Sequence, residues 1–176
     1  MTMTPGLRKF ALTAHVASSV GWLGAVVVFL TLAVVGLTSG DEDTVRGAYL
    51  VMEPAAWFVL VPLGLASLLT GLIQSLGTTW GLFRHYWILA KLTINVFATI
   101  VLLLYMQTLS YLAGVAAERP FSSDDLGVLR SPSPLIHAGA ALLLLLVATT
   151  LSVYKPRGLT PYGERRRQVR RALSQD

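Results

Sequence analysis

The apolar residues of this chain are gathered into four long runs that are separated by shorter polar segments. Each run is longer than the roughly 20 residues that a helix needs to cross a hydrocarbon core of about 30 Å. The pattern therefore predicts an all-α integral membrane protein with a four-helix antiparallel bundle over residues 1–158 and a basic tail over residues 159–176. The predicted spans cover about residues 10–37, 54–76, 86–112 and 134–154.

The amino-acid composition agrees with an integral membrane protein and excludes sites that need cysteine. The chain is 54% hydrophobic and 13% charged, with a mean hydropathy of +0.64. Those values are typical of a polytopic membrane protein and unlike those of a soluble domain. The sequence has no cysteine, which excludes disulfides, thiolate metal sites, iron–sulfur clusters and thiol catalysis.

Basic residues are distributed unevenly among the segments outside the predicted spans. The N-terminus, the second connection and the tail together hold ten Lys and Arg residues, whereas the first and third connections hold three. By the positive-inside rule, both termini are expected in the cytoplasm. The tail is expected to contact anionic membrane lipid. Nucleic-acid binding is not expected, because the basic segment is short and has no recognisable fold beside it.

The third run carries a charged residue about two turns inside its first aromatic residues. Lys91 is followed at i+4 and i+8 by Asn95 and Thr99, so the three side chains share one stripe of the helix. A charge at such a depth is costly and usually faces a protein interior or a functional site. Two interpretations remain open for Lys91, namely a site residue and a side chain that snorkels to the inner headgroups.

A histidine in the first run is expected at a comparable depth. Ser18, Ser19 and Trp22 share the helix face of His15. His15 is either hydrogen-bonded to a neighbouring helix or a metal ligand or proton relay. Gln74, from the second run, is expected to reach the same layer, either as a site residue or through an interhelical hydrogen bond.

The other two histidines are expected elsewhere. His137 begins the fourth run and is predicted more than about 10 Å from His15 along the membrane normal, at 1.5 Å of rise per residue. It is therefore a metal ligand of a second site or an outer polar contact, with Glu53 as the expected partner. His85, beside Arg84, is expected at the inner interface, in contact with lipid headgroups or haem propionates.

The sequence lacks the short motifs of several common enzyme classes. The sequence has no Gly-rich phosphate loop, no H-E-x-x-H and no paired carboxylates within one run. An imidazole such as that of His15 can coordinate haem iron while apolar helices enclose the porphyrin. Haem binding is therefore compatible with the pattern, although the spacing does not require it.

Four motifs together resemble a known superfamily over about residues 10–158. His15 is followed by G-W-L-G, a proline opens the second run, W-I-L-A-K-L lies in the third, and V-Y-K-P-R-G follows the fourth. The chain is similar to the small four-helix membrane proteins that include HemJ-type protoporphyrinogen oxidases and CopD domains, and most similar to uncharacterised bacterial members. The resemblance implies that His15 and Lys91 are a functional pair associated with b-type haem and porphyrinogen oxidation.

These observations predict a b-type haem-binding protein of the bacterial plasma membrane with a role in electron or hydrogen transfer. Lys91 is the expected catalytic residue, with a tetrapyrrole or a quinone as the reaction partner, and small residues suit a homodimer. The alternative is copper or other metal or solute transport without enzymatic activity, with Glu53 and His137 at the outer mouth and His15 with Lys91 at the inner one. A third interpretation is a purely structural or assembly subunit. The expected cofactor-binding residues are His15, Gln74, Arg84, His85, Lys91 and Asn95.

Overall fold

The computed structural model of the chain describes residues 3–77, 81–118 and 122–172. Regular structure within these residues is helical, apart from one isolated bridge between His85 and Leu159. This confirms the predicted all-α class. The elements are α1 (Pro5–Thr38), α2 (Glu42–Ala55), a π-helical turn (Ala56–Leu60), α3 (Val61–Gly77), α4 (Tyr86–Ala117), α5 (Ser123–Leu129), α6 (Ser133–Tyr154) and α7 (Pro161–Ala172).

Four helical stretches among the described residues are long and apolar enough to cross a membrane. They agree in number and order with the four runs of the sequence. Large apolar side chains cover their outer surfaces, and Phe58 is an example with 80% of its surface exposed. A bilayer would shield such side chains, whereas water would not. The four stretches are Pro5–Thr38, Glu42–Gly77, Tyr86–Ala117 and Ser123–Tyr154.

The second long helix begins twelve residues before the apolar run that predicted it, so most of the expected first connection is helical. The Asp41 side chain caps α2 by accepting a hydrogen bond of 2.9 Å from the backbone N–H of Thr44. The Thr44 hydroxyl and N–H together hold the pKa of this carboxyl below its usual value. Pro54 lies inside the helix instead of opening it, and the π-helical turn follows at once. A proline lacks the N–H that a regular helix needs, which accounts for the irregular turn.

The long helices pack as a ring around one core. Helix α1 contacts α3 and α6, and α4 contacts the same two neighbours from the opposite side. Helix α2 extends α3 and packs on both α1 and α4. The largest fully buried side chains are Trp22, Tyr49, Met52, Met106, Leu109 and Leu129.

The N-terminus, the 81–86 segment and the start of the tail meet at one end of this ring. The backbone N–H of Met3 donates to the carbonyl of Gly77 over 3.3 Å. Thr160 is buried: its N–H donates to the carbonyl of Arg84 over 3.1 Å, and its hydroxyl donates to the carbonyl of Phe83. The first residues of the tail are therefore held against the bundle before α7 begins.

The opposite end is closed by α2 and α5. The hydroxyl of Tyr49 donates to the backbone carbonyl of Leu129. Arg46 Nε donates to the carbonyl of Ala116 over 2.9 Å. These bonds hold α2 against α4 and the third connection.

Candidate functional site

A layer of polar side chains crosses the ring toward the end that holds the N-terminus and the tail. All four long helices contribute to it. Within one helix its members are three or four residues apart, which places them on the inward face. This polar layer consists of His15, Ser18 and Ser19 on α1, Ser67 and Thr70 on α3, Lys91 and Asn95 on α4, and Ser152 on α6.

The imidazole of His15 is held by Thr70 on the neighbouring helix. The distance between His15 Nδ1 and Thr70 Oγ1 is 3.1 Å. The single hydroxyl proton of Thr70 is donated to the carbonyl of Ala66 over 2.6 Å, so its oxygen must accept from the ring. Nδ1 of His15 therefore carries the proton, and Nε2 carries the lone pair.

Gly71 allows α3 to lie directly against this ring. A Cβ atom at position 71 would stand 3.1 Å from Cε1 of His15, which is closer than ordinary van der Waals contact. Ser18, one turn further along α1, donates its hydroxyl to the carbonyl of His15 over 3.1 Å. The imidazole is thus fixed both in position and in tautomer.

A second chain of hydrogen bonds links α4 to α1 through α3. Asn95 Nδ2 donates to Ser67 Oγ over 3.3 Å, and the hydroxyls of Ser67 and Ser19 are 2.8 Å apart. The Oδ1 atom of Asn95 is buried and has no hydrogen-bond partner within the described residues. A buried acceptor of this kind is costly unless a donor reaches it.

Lys91 is oriented toward α6. Its ammonium donates to Ser152 Oγ over 2.9 Å and lies 4.9 Å from the centroid of the Trp87 ring. The Ser152 hydroxyl in turn donates a hydrogen bond of 2.9 Å to the carbonyl of Ala148. A hydroxyl partner and an aromatic face both stabilise a cation away from water. The ammonium thus has partners within the helices.

The structure gathers some of the predicted site residues and separates others. His15, Lys91 and Asn95 belong to the polar layer. Gln74 lies one turn beyond Thr70 and is half-buried, and no hydrogen bond of its side chain is found in the described ranges.

Arg84 and His85 lie beside the start of the tail. They sit at the end of the bundle, where the backbone of His85 bridges to Leu159. Arg84 lines a cleft of about 230 Å³ together with Tyr162 and Arg166 from α7. Arg84 and His85 are not members of the polar layer as defined above.

His137 belongs to a different level of the bundle. Its Nδ1 lies 2.8 Å from the carbonyl of Ser133, and its ring stacks on Tyr105 with centroids 4.0 Å apart. No hydrogen bond or ion pair with Glu53, the expected partner, is found among the residues that the structure describes. The ring borders a cavity that also touches Trp22, which is seven residues, or about 10 Å, beyond His15 on α1. The two histidines are therefore not ligands of one metal ion.

Three further residues of these sites carry only weak signals in the sequence. Thr70 stands in a polar stripe of α3, but nothing in that stripe indicates that it sets the tautomer of His15. Ser152 and Tyr105 lie in otherwise apolar runs, and only their unusual polarity marks them. Their roles depend on which helix faces them.

The described ranges contain no group of three or more His, Cys, Asp or Glu side chains arranged to hold a metal ion. Comparison of the chain with family models, curated proteins and solved structures finds no match. The resemblance to HemJ-type and CopD proteins therefore stays a prediction.

Proposed function

We propose that this chain is a b-type haem-binding membrane protein that takes part in electron or hydrogen transfer, with His15 as an axial ligand of the iron. The supporting observation is the hydrogen bond from His15 Nδ1 to Thr70. An imidazole that is protonated at Nδ1 and anchored there offers its Nε2 lone pair to a metal, which is the usual arrangement of ligating histidines. Haem, when bound, supplies one-electron redox chemistry.

The other members of the polar layer fit supporting roles. The Lys91 ammonium is a charge partner for a porphyrin carboxylate or a carrier of the transferred proton, and its bond to Ser152 holds it in place. The free Oδ1 of Asn95 accepts a hydrogen bond from a ligand or from a bound water. Arg84 and His85, at the end of the bundle, are the proposed contacts for carboxylates that project from the layer.

The proposed setting is the bacterial plasma membrane, with both termini in the cytoplasm and the basic α7 against anionic lipid. Membership of the HemJ and CopD superfamily, a tetrapyrrole or quinone as reaction partner, and a homodimer belong to the same proposal. The four long apolar helices support the membrane setting, and the distribution of basic residues supports the orientation. Copper or solute transport is the alternative, and the same experiment tests it.

The test is the absorption spectrum of the purified protein in detergent, first oxidised and then reduced with dithionite. We expect a Soret band and sharpened reduced α and β bands, which His15→Ala removes. His137→Ala is the matched control and keeps them, because it lies at another level of the bundle. Size-exclusion chromatography and circular dichroism show whether each variant is folded.

A colourless protein that also fails to take up added haemin would contradict the proposal. Copper content measured on the same preparation then decides whether metal handling takes its place. If the haem absorption bands were retained in His15→Ala and lost in His137→Ala, His137 would be the axial ligand instead of His15.

A further inference from the structure

A second candidate site lies deeper in the bundle than the polar layer. A cavity of about 240 Å³ is lined by α1, α4 and α6, with one wall residue from the π-helical turn. Its walls are apolar and rich in aromatic rings, including Trp22, Phe29 and Phe97. Two polar side chains, Tyr105 and His137, stand among these walls.

The hydrogen bonds of His137 indicate which ring nitrogen carries the proton and which can accept a hydrogen bond from a ligand. Its Nδ1 is 2.8 Å from the carbonyl oxygen of Ser133, and a carbonyl only accepts, so Nδ1 carries the proton. The Nε2 atom of the ring is then an acceptor. No hydrogen bond to it is found among the residues that the structure describes.

Tyr105 provides a hydrogen-bond donor, whereas His137 provides an acceptor. Its phenol oxygen accepts a hydrogen bond of 3.3 Å from the hydroxyl of Ser133, which leaves its own proton to donate. The two rings are stacked with centroids 4.0 Å apart and both residues line the cavity, so one hydrogen-bond donor and one acceptor belong to the same wall. A ligand that both donates and accepts hydrogen bonds, such as one that carries hydroxyl groups, would satisfy the imidazole and the phenol.

The cavity opens toward the outer surface of the bundle between α4 and α6. Phe97 on α4 and Ile136 on α6 both line the cavity, yet they are 56% and 61% exposed. Both belong to helices that are apolar enough to cross a membrane. A ligand would therefore enter from the lipid, and an attached apolar tail would remain there.

We propose that this cavity binds the aromatic head group of a lipid-soluble quinol. Its volume is below the roughly 300–1,000 Å³ of pockets that enclose a drug-sized ligand, so it suits a single substituted ring with its tail outside. The aromatic walls favour a ring over an aliphatic chain. A lipid acyl chain would leave the Tyr105 proton and the His137 lone pair without partners, which is unfavourable. This site deepens the proposed function, in which a quinone is one of the reaction partners, and it does not depend on haem.

The experiment uses the fluorescence of Trp22, which is 2% exposed and touches the cavity. Decylubiquinone, a quinone with a ten-carbon tail, is titrated into the protein in lipid nanodiscs, and the quenching of tryptophan emission is recorded. Decylubiquinol and decylbenzene then compete with the quinone under anaerobic conditions. The Trp22→Phe variant identifies the part of the signal that comes from the cavity.

We expect saturable quenching that is lost in Trp22→Phe and in Ala141→Phe, which fills the cavity from α6. Val147→Phe, at an exposed position on the same helix, is the matched control and binds normally. Decylubiquinol should compete more strongly than the quinone, and decylbenzene only weakly. Tyr105→Phe and His137→Ala should each weaken quinol binding about tenfold, the effect of one lost hydrogen bond.

Two results would overturn the proposal. Equal competition by decylbenzene, with no effect of Tyr105→Phe, would mean that the cavity takes acyl chains only. Quenching that persists in Ala141→Phe would place the ligand elsewhere. His15→Ala, which removes the proposed haem ligand, should bind quinol as the parent does, so the two proposals fail or succeed separately.

Discussion

Lys91 on α4 and Ser152 on α6 are joined by a hydrogen bond of 2.9 Å from ammonium to hydroxyl. The serine proton is already donated along its own helix, so the bond has a fixed direction. A charge inside a candidate membrane span is therefore held between two helices that adjoin in the ring. This one contact decides how Lys91 can act, because it directs the ammonium across the bundle.

Removing Ser152 should cost more stability than removing the charge it contacts. Ser152→Ala leaves the Lys91 ammonium with one hydrogen-bond partner fewer. We expect the free energy of unfolding to fall by about 1 kcal/mol, which is within the range of interhelical hydrogen bonds in membranes. Lys91→Met keeps the length of the side chain without the charge and should be nearly neutral. Unfolding of each variant in mixed detergent micelles measures the difference.

The double variant separates the pair from the rest of the layer. Ser152→Ala should be almost without effect when Lys91→Met is already present. The control is Thr150→Ala, because the Thr150 hydroxyl donates to the carbonyl of Leu146 on its own helix. If Ser152→Ala lowered the free energy of unfolding equally with and without Lys91→Met, the hydrogen bond between the two residues would contribute nothing to stability.

Thr70 should control the affinity of His15 for haem without touching the iron. Thr70→Val removes the acceptor that holds the proton on Nδ1, and we expect haem affinity to fall about 10- to 100-fold, as for other residues that orient a ligand. Titration of haemin into the haem-free protein measures it. Thr150→Val, on the exposed face of α6, is the matched control. Unchanged affinity in Thr70→Val would show that this contact does not prepare the ligand.

Gly36 should tolerate no side chain. A Cβ at this position would lie 3.1 Å from Cε2 of Tyr49, and that ring is buried and fixed at its far end by the bond to Leu129. Gly36→Ala is expected to destabilise the fold by about 1–3 kcal/mol. Gly24→Ala, on the same helix with open space around it, should be neutral or stabilising. Thermal unfolding compares them, and similar melting temperatures would contradict the packing described.

The absence of cysteine makes membrane orientation directly testable. Asp43→Cys and Glu164→Cys introduce one thiol each at exposed positions near opposite ends of the bundle. If both termini are cytoplasmic, a membrane-impermeant maleimide should label only the Asp43→Cys variant in intact spheroplasts. Glu164→Cys should react after lysis. The reverse pattern would invert the orientation.

Much of the architecture follows from the sequence because it depends on local properties. The lengths of the apolar runs predicted four long helices, and the spacing of Lys91 and Asn95 predicted a shared inward face. Helix α2 was missed because its apolar residues are sparse. Val45, Ala48, Tyr49 and Met52 follow a helical period, but the segment around them is too polar to resemble a membrane span.

The candidate sites were predictable only in outline. The sequence marked His15, Lys91 and His137 as polar residues at costly positions, and it separated the two histidines by depth. It did not indicate that Thr70 fixes the tautomer of His15, or that Tyr105 stacks on His137. Those roles require knowledge of which side chain faces which across helices.

The sequence by itself determined the helical class, the number of candidate spans and the residues whose polarity demands a partner. Tertiary structure alone decided the partners: Thr70 for His15, Ser152 for Lys91, and the 83–84 backbone for Thr160. The physical reason is that these helices are apolar on almost every face, so hydrophobic patterning does not set their rotation. Close packing and a few hydrogen bonds between helices set it instead.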